Sequence, residues 1–245
     1  MSWVLPLLFA PFIGSFLGVL IRRLPRSRPI GLARSECEGC GHVLGVLEMV
    51  PIVSYFVCGR KCRVCGAPIA RFHIYVELAA LGVAGWAASV ESDPLSLWVA
   101  CILGWTLLAL AWIDAEHMLL PDALTLPLIL LGLGATWLRD PERMVDHALG
   151  AAVGYLAFRG IASLYRMLRR REGLGEADAK LLAAAGAWVG WAALPLLVLM
   201  AALAGLGAAL LAAAVGGRRL QASTALPFGP FLAAALWLTW LYGAA

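Results

Sequence analysis

The sequence predicts an all-α, polytopic membrane protein, and three observations lead there. Of its 245 residues, 62% are hydrophobic and only 14% are charged, outside the range of soluble domains. Apolar runs of about 20 residues, the length that crosses a bilayer as a helix, recur along nearly the whole chain. The 19 Lys and Arg are gathered into a few loops, which orients such a chain in its bilayer.

Eight membrane helices are expected, near 3–21, 74–90, 95–113, 122–138, 147–165, 179–193, 195–215 and 225–243. The first run has no basic flank before it and no small-residue cleavage pattern after it, so it reads as a retained helix rather than a cleavable signal. The sixth and seventh run together from 181 to 215, with Trp188, Trp191 and Pro195 as the only turn signals. Nine Lys/Arg fall between 22 and 73 and five between 166 and 180, while Arg218 and Arg219 mark a third basic loop. The opposite loops hold only Arg139 and Arg143. Eight spans put the three basic loops on one face, which the positive-inside rule makes cytoplasmic, with both termini outside. Orientation accounts for the basic residues, and no nucleic-acid partner is expected. Small residues crowd the later spans, in Ala183-Ala184-Ala185-Gly186-Ala187, around Ala201, Gly205 and Gly207, and in Ala212-Ala213-Ala214. Helices in lipid associate through such small faces, so a tightly packed bundle is expected.

The first basic loop contains CEGC (37–40) and CRVC (62–65). Paired C-x-x-C units in a reducing compartment read as a tetrahedral structural zinc site with Cys37, Cys40, Cys62 and Cys65 as ligands. The alternatives are disulfides or a redox pair. Gly41 and Gly66 follow the two pairs and suit tight turns. Four thiolates on Zn²⁺ leave a charge of about −2, which Arg60, Lys61 and Arg63 would offset. Four ligands leave no open position, so the site is expected to hold the loop's fold and not to catalyse. The chain thus divides into a first helix (1–21), a cytoplasmic zinc-binding domain (22–73) and a larger membrane domain (74–245).

Three acids stand at the membrane edge. Asp114 ends the third span within WIDAEHMLLPDALTLPL (112–128), Asp122 follows Pro121 at the start of the fourth, and Asp178 opens the sixth within GLGEADAKLL (173–182). An ionisable group against hydrocarbon is a functional candidate by default. Asp114 and Asp178 reach the same face and can meet if their helices are neighbours. Two carboxylates about 4 Å apart repel by roughly 4 kcal/mol at an effective dielectric near 20, enough to keep one proton on the pair. One acid and one base can then activate water and protonate the leaving group of an amide. Gly173 and Gly175 would let the backbone approach a substrate. Asp122 reads better as a helix N-terminal residue. Lys180 reads as an interfacial neighbour of Asp178, Glu176, Glu116 and His117 as solvated loop groups, and Glu77 as an interfacial or interhelical polar contact. His42, His73 and His147 show no ligand spacing.

These motifs together resemble the bacterial type IV prepilin peptidases, over nearly the whole chain. The resemblance rests on FIGSFLGVLIRRLP (12–25), the two cysteine pairs, MVPIVSY (49–55), GRKCRVC (59–65), IDAEHMLLPD (113–122) and GLGEADAKL (173–181). It implies Asp114 and Asp178 as the catalytic pair of an aspartic endopeptidase and the four cysteines as zinc ligands. It also implies cleavage of prepilins and pseudopilins at the cytoplasmic face of the bacterial inner membrane, after a glycine that ends a basic leader. The resemblance alone makes 22–73 the methyltransferase domain as well and 74–245 the aspartic peptidase domain, and implies methylation of the new N-terminus with S-adenosylmethionine; no Rossmann-type glycine fingerprint is evident. The sequence departs from the family pattern at Ala177 (usually glycine), at Gly18 (often asparagine) and at Glu48-Met49 (typically Asp-Asn). A non-enzymatic membrane scaffold with a zinc docking module would explain the cysteines but not the two acids. A proton- or metal-coupled transporter would place its acids near the bilayer midplane.

Overall fold

The structure, a computed structural model, describes residues 3–30, 35–37, 39–169, 175–216 and 226–243. Gly173, Arg218 and Arg219 therefore lie outside the described residues. Among the described residues, eight helices of 14 residues or more stand where the eight apolar runs were expected: α1 (Val4–Arg23), α3 (Arg71–Val90), α4 (Pro94–His117), α5 (Asp122–Arg139), α6 (Met144–Arg169), α7 (Glu176–Val189), α8 (Leu194–Gly216) and α9 (Gly229–Tyr242). A single helical turn, α2 (Val53–Val57), lies in the loop between α1 and α3. Six of the helices are long and apolar enough to cross a membrane, making this a multi-pass membrane protein. At about 1.5 Å per residue, the 14-residue α7 and α9 reach only about 21 Å. The chain divides into two compact units, Met1–Ala109 and Leu110–Ala245.

In the first unit α1 packs along α3. A Cβ on Gly14 would lie 2.6 Å from the Glu77 backbone and 3.0 Å from Ala80, so only glycine permits that approach. Ala10, Leu17, Ile21, Val76, Ala80 and Ala84 fill the interface. Asp93 caps the following helix: its Oδ2 accepts from the Ser96 N–H at 2.8 Å, just ahead of Pro94 in the first helical position. Trp105 donates its indole N–H to the Ala80 carbonyl at 2.9 Å.

The second unit is centred on α7, whose residues from Leu181 to Trp188 are all buried. Its small residues do what was expected of them. A Cβ on Gly186 would overlap the Gly150 carbonyl, and one on Gly154 would lie 2.6 Å from the Leu182 carbonyl, so α6 and α7 meet backbone to backbone. Buried His147 joins three helices through Nδ1, 3.0 Å from Thr136 Oγ1 and 3.0 Å from the Ala187 carbonyl. Trp188, read as a turn signal, lies inside α7 and donates to the Leu128 carbonyl at 2.8 Å. The turn comes two residues later, at Gly190 with φ +75°, and Pro195 sits in the first turn of α8. The small residues of α8 behave differently. Gly205 meets Phe231, Gly207 meets nothing within 4 Å, and Leu196, Leu199, Leu203, Leu206 and Leu210 are exposed. Tight packing therefore belongs to α7, and α8 turns much of its surface outward.

Candidate active site and metal centre

Each aspartate meets the start of a helix. Asp114 lies near the end of α4 and is 5% exposed. Its Oδ2 accepts the Gly229 N–H, the first of α9, at 2.9 Å. The first N–H groups of a helix have no partner within it and carry the positive end of its dipole, so Asp114 acts as the cap of a helix that begins 115 residues later. A Cβ on Gly229 would lie 2.6 Å from that same oxygen, and only glycine leaves the carboxyl its place. The other oxygen, Oδ1, accepts no hydrogen bond among the described residues.

Asp178 occupies the third position of α7, half-buried. The backbone of Gly175, the N-cap, bonds back to its carboxyl, as the acid of a capping box does. Each aspartate is thus held by the N-terminus of a different helix, and α7 and α9 pack together. The two acids are close enough for the charge of Asp114 to act on Asp178. Both carboxylates belong to the second unit.

Several polar residues have partners that sequence reading missed. Lys180 bonds to Asp122 Oδ1 at 2.6 Å and so ties α7 to the start of α5; it is not a free neighbour of Asp178. Asp122 remains in the first turn of α5 as expected. Glu176, read as a loop charge, is the first residue of α7 and pairs with Arg159 at 2.6 Å. Glu116 and His117, also assigned to a loop, form the last turn of α4, where Trp112 donates to Glu116 at 2.9 Å. The helix runs four residues beyond the expected end. Gly229 had a signal in the sequence, because Phe228-Gly229-Pro230 sets a glycine and a proline at the head of an apolar run.

The four cysteines converge in the first unit. Their Sγ atoms all lie within 4.8 Å of one another, with Cys37–Cys65 at 3.8 Å and Cys40–Cys62 at 4.0 Å. A tetrahedron with metal–sulfur bonds of about 2.3 Å needs sulfurs about 3.8 Å apart. The two halves are built alike. Gly41 and Gly66 donate to the carbonyls of Cys37 and Cys62, and both have φ near +70°, where glycine carries no steric cost. Bridges Glu36↔Val43 and Lys61↔Pro68 close each turn. The N–H groups of Cys65 and Val64 pull the Cys62 thiol down to about 6. Cys40, despite a hydrogen bond from the His42 backbone, is pushed up to about 12 by the neighbouring thiols, Cys65 foremost. Four thiolates repel unless a cation sits among them, so donor set, spacing and turns fit a metal ion. Arg60, expected to offset thiolate charge, lies 5.9 Å and 6.0 Å from the rings of Tyr55 and Phe56.

Residues 101–210 match the type IV leader peptidase family, and residues 8–90 match the bacterial N-terminal domain of the same peptidase group. Two proteins named prepilin leader peptidase/N-methyltransferase are similar over their lengths. The one from Dichelobacter nodosus is 38% identical, over 97% of this chain and 90% of its own. That from Pseudomonas aeruginosa is 36% identical, over 97% and 89%. The chain belongs to the type IV leader peptidase family. A third relative of the same name, from Burkholderia pseudomallei, is 40% identical over 90% of this chain and 71% of its own. No solved structure matches this leader peptidase. The peptidase match covers Asp114 and Asp178, and the N-terminal match covers all four cysteines.

Proposed function

We propose that this protein is an aspartic endopeptidase of the bacterial inner membrane that removes the leader peptide of type IV prepilins and pseudopilins. Asp114 and Asp178 are its catalytic pair. The observation that carries the reading is their placement: two acids 64 residues apart in sequence, each held by a helix N-terminus and electrostatically coupled. A scaffold gives no reason to gather two carboxylates in one place.

The ionised member takes a proton from water as that water attacks the scissile carbonyl, and the protonated member gives its proton to the departing amine. The helix starts of α7 and α9 steady negative charge on the pair throughout. Asp114 keeps one oxygen on Gly229 and presents the other to the reaction. The new N-terminus is then methylated, with S-adenosylmethionine as donor, a reading supported by the names of the relatives. Zinc is the metal of the cysteine centre, where it would fix the turns of residues 35–70. The cysteine module lies on the cytoplasmic side, with the leader and the cleavage site.

The test is cleavage of a synthetic prepilin by the purified protein in lipid, with products weighed by mass spectrometry. A leader released after its terminal glycine supports the reading. An intact substrate in the presence of folded, metal-loaded protein overturns it and favours the scaffold.

A further inference from the structure

A cavity of about 340 Å³ lies wholly within the second unit, where α5 ends, α6 begins and α7 and α9 finish. Arg139, Asp140, Arg143, His147 and Trp240 are among the residues that line it. Both α5 and α6 are long and apolar enough to cross a membrane, so the short connection between them lies at a membrane face. The aspartate pair stands at the other end of the same helices. Asp178 is in the first turn of α7, and Trp188 of the cavity wall is near its end, about 15 Å further on at about 1.5 Å per residue. No step of cleavage uses this cavity.

The indole Nε1 of Trp240 is buried and has no hydrogen-bond partner among the described residues. Its T-shaped neighbour Trp188, 5.1 Å away, donates instead to the Leu128 carbonyl. A buried donor without an acceptor is costly, and folded proteins hold few of them. The guanidinium of Arg139 stands 4.9 Å from the centre of the Trp240 ring, where the ring face attracts it. Neither Arg139 nor Arg143 forms an ion pair among the described residues. Anchoring at the membrane surface explains arginine and tryptophan at helix ends. It does not explain a cavity between them, or an N–H left without an acceptor.

We propose that this cavity binds the phosphate of an anionic phospholipid of the phosphatidylglycerol type, from the leaflet opposite the aspartates. Guanidinium groups match phosphate oxygens in geometry and charge, and the Trp240 N–H supplies a further donor. Among the described residues the lining sets two guanidiniums against one carboxylate, Asp140, which suits a headgroup of net negative charge over a zwitterionic one. Asp140 is an acceptor for the glycerol hydroxyls. His147 is another: its Nδ1 donates to the Ala187 carbonyl, so the neutral ring has its acceptor at Nε2. Trp137 and Leu138, beside Arg139 in the chain, are exposed and give the acyl chains an apolar surface, which a free phosphate would not need.

The test is lipid binding by the full chain in a neutral detergent, with bound lipid counted by native mass spectrometry and the thermal midpoint reporting on folding. Phosphatidylglycerol should bind saturably and at least tenfold more tightly than phosphatidylcholine. The double variant Arg139→Gln/Arg143→Gln should bind it at least tenfold more weakly. Trp240→Phe keeps a ring beneath Arg139 and removes only the N–H donor, so a loss of about three- to tenfold is expected; it decides the matter if the double variant does not fold. Arg166→Gln, exposed towards the other end of α6, makes a matching change of charge and should bind within twofold of wild type. Equal affinity for the two lipids in the wild type overturns the proposal, as does wild-type affinity in folded Trp240→Phe and double variants. Displacement of the lipid by an equal concentration of inorganic phosphate assigns the cavity to free phosphate and overturns the lipid. A lower midpoint in the variants with no preference between lipids leaves anchoring as the whole role and overturns it too.

Discussion

Cys37 reaches its geometry through a turn closed four residues later, at Gly41, whereas Asp114 reaches its hydrogen-bond partner across 115 residues. The cysteine module lies in a loop with little apolar interior, where Val46, Leu47, Val57 and Val64 are exposed. Local turns hold it, and a cation among the four thiolates would complete it. The aspartate pair is held by the opposite means: helices α6 and α7 in backbone contact, α9 beginning on Asp114, and no local motif joining the two acids. A site made of short-range turns depends on its ligand. A site made of long-range packing depends on the smallest residues in the bundle.

The largest effect should come from the aspartates. Asp114→Asn and Asp178→Asn are each expected to lower the cleavage rate by roughly 10²- to 10⁴-fold, the usual range for loss of a general acid or base. An amide cannot gain and lose the proton. The double variant should be no slower than the worse single one, because a dyad acts as a unit. Rates in membranes check this, with metal content showing that the cysteine module is untouched. Near-normal cleavage by either variant removes the dyad.

Gly229→Ala should come next. The added methyl would stand 2.6 Å from Asp114 Oδ2, so the carboxyl must turn away from the α9 N-terminus. Misplacing a reacting group by about 1 Å can cost about 100-fold. A fall of roughly 10- to 100-fold in kcat with little change in KM is expected, since the change touches the reacting group and not substrate binding. Gly134→Ala, where a Cβ meets nothing within 4 Å, is the control and should leave both constants alone.

Metal removal breaks the comparison from the other side. Cys40→Ser, or a strong chelator, should free residues 35–70, because the binding energy of a structural metal is also folding energy. Proteolysis should cut that loop readily while α5 to α9 resist. Methylation should weaken at least tenfold and cleavage only a few-fold. Equal losses in both would mean that the two regions are not independent.

How much of this could be read in the sequence follows the same division. The apolar runs located eight helices because each run is a local property, and the cysteines were legible because each half of their site spans only a few residues. The two aspartates were singled out by their flanking motifs. Gly229 was not, because nothing in Phe228-Gly229-Pro230 says which acid it will meet. The ion pairs Lys180–Asp122 and Arg159–Glu176 escaped for the same reason. Composition also could not tell α7 from α8: both are rich in Ala and Gly, yet one is buried and the other largely exposed.

The smallest expected effect concerns Lys180 and Asp122. Their pair, at 2.6 Å, joins α7 to α5 two residues past Asp178, so bracing the helix and acting in the chemistry can be told apart by experiment. The side chains are 24% and 56% exposed, and solvent screens such pairs to about 0–1 kcal/mol. If bracing is the whole role, Asp122→Asn and Lys180→Met should each lower the thermal midpoint slightly, and the double variant should lower it no further. High salt should erase the wild-type advantage. Cleavage should change less than about threefold, because neither group exchanges a proton with the substrate. A loss of rate near that of Asp178→Asn in Lys180→Met, with stability unchanged, would refute bracing and place Lys180 in the chemistry.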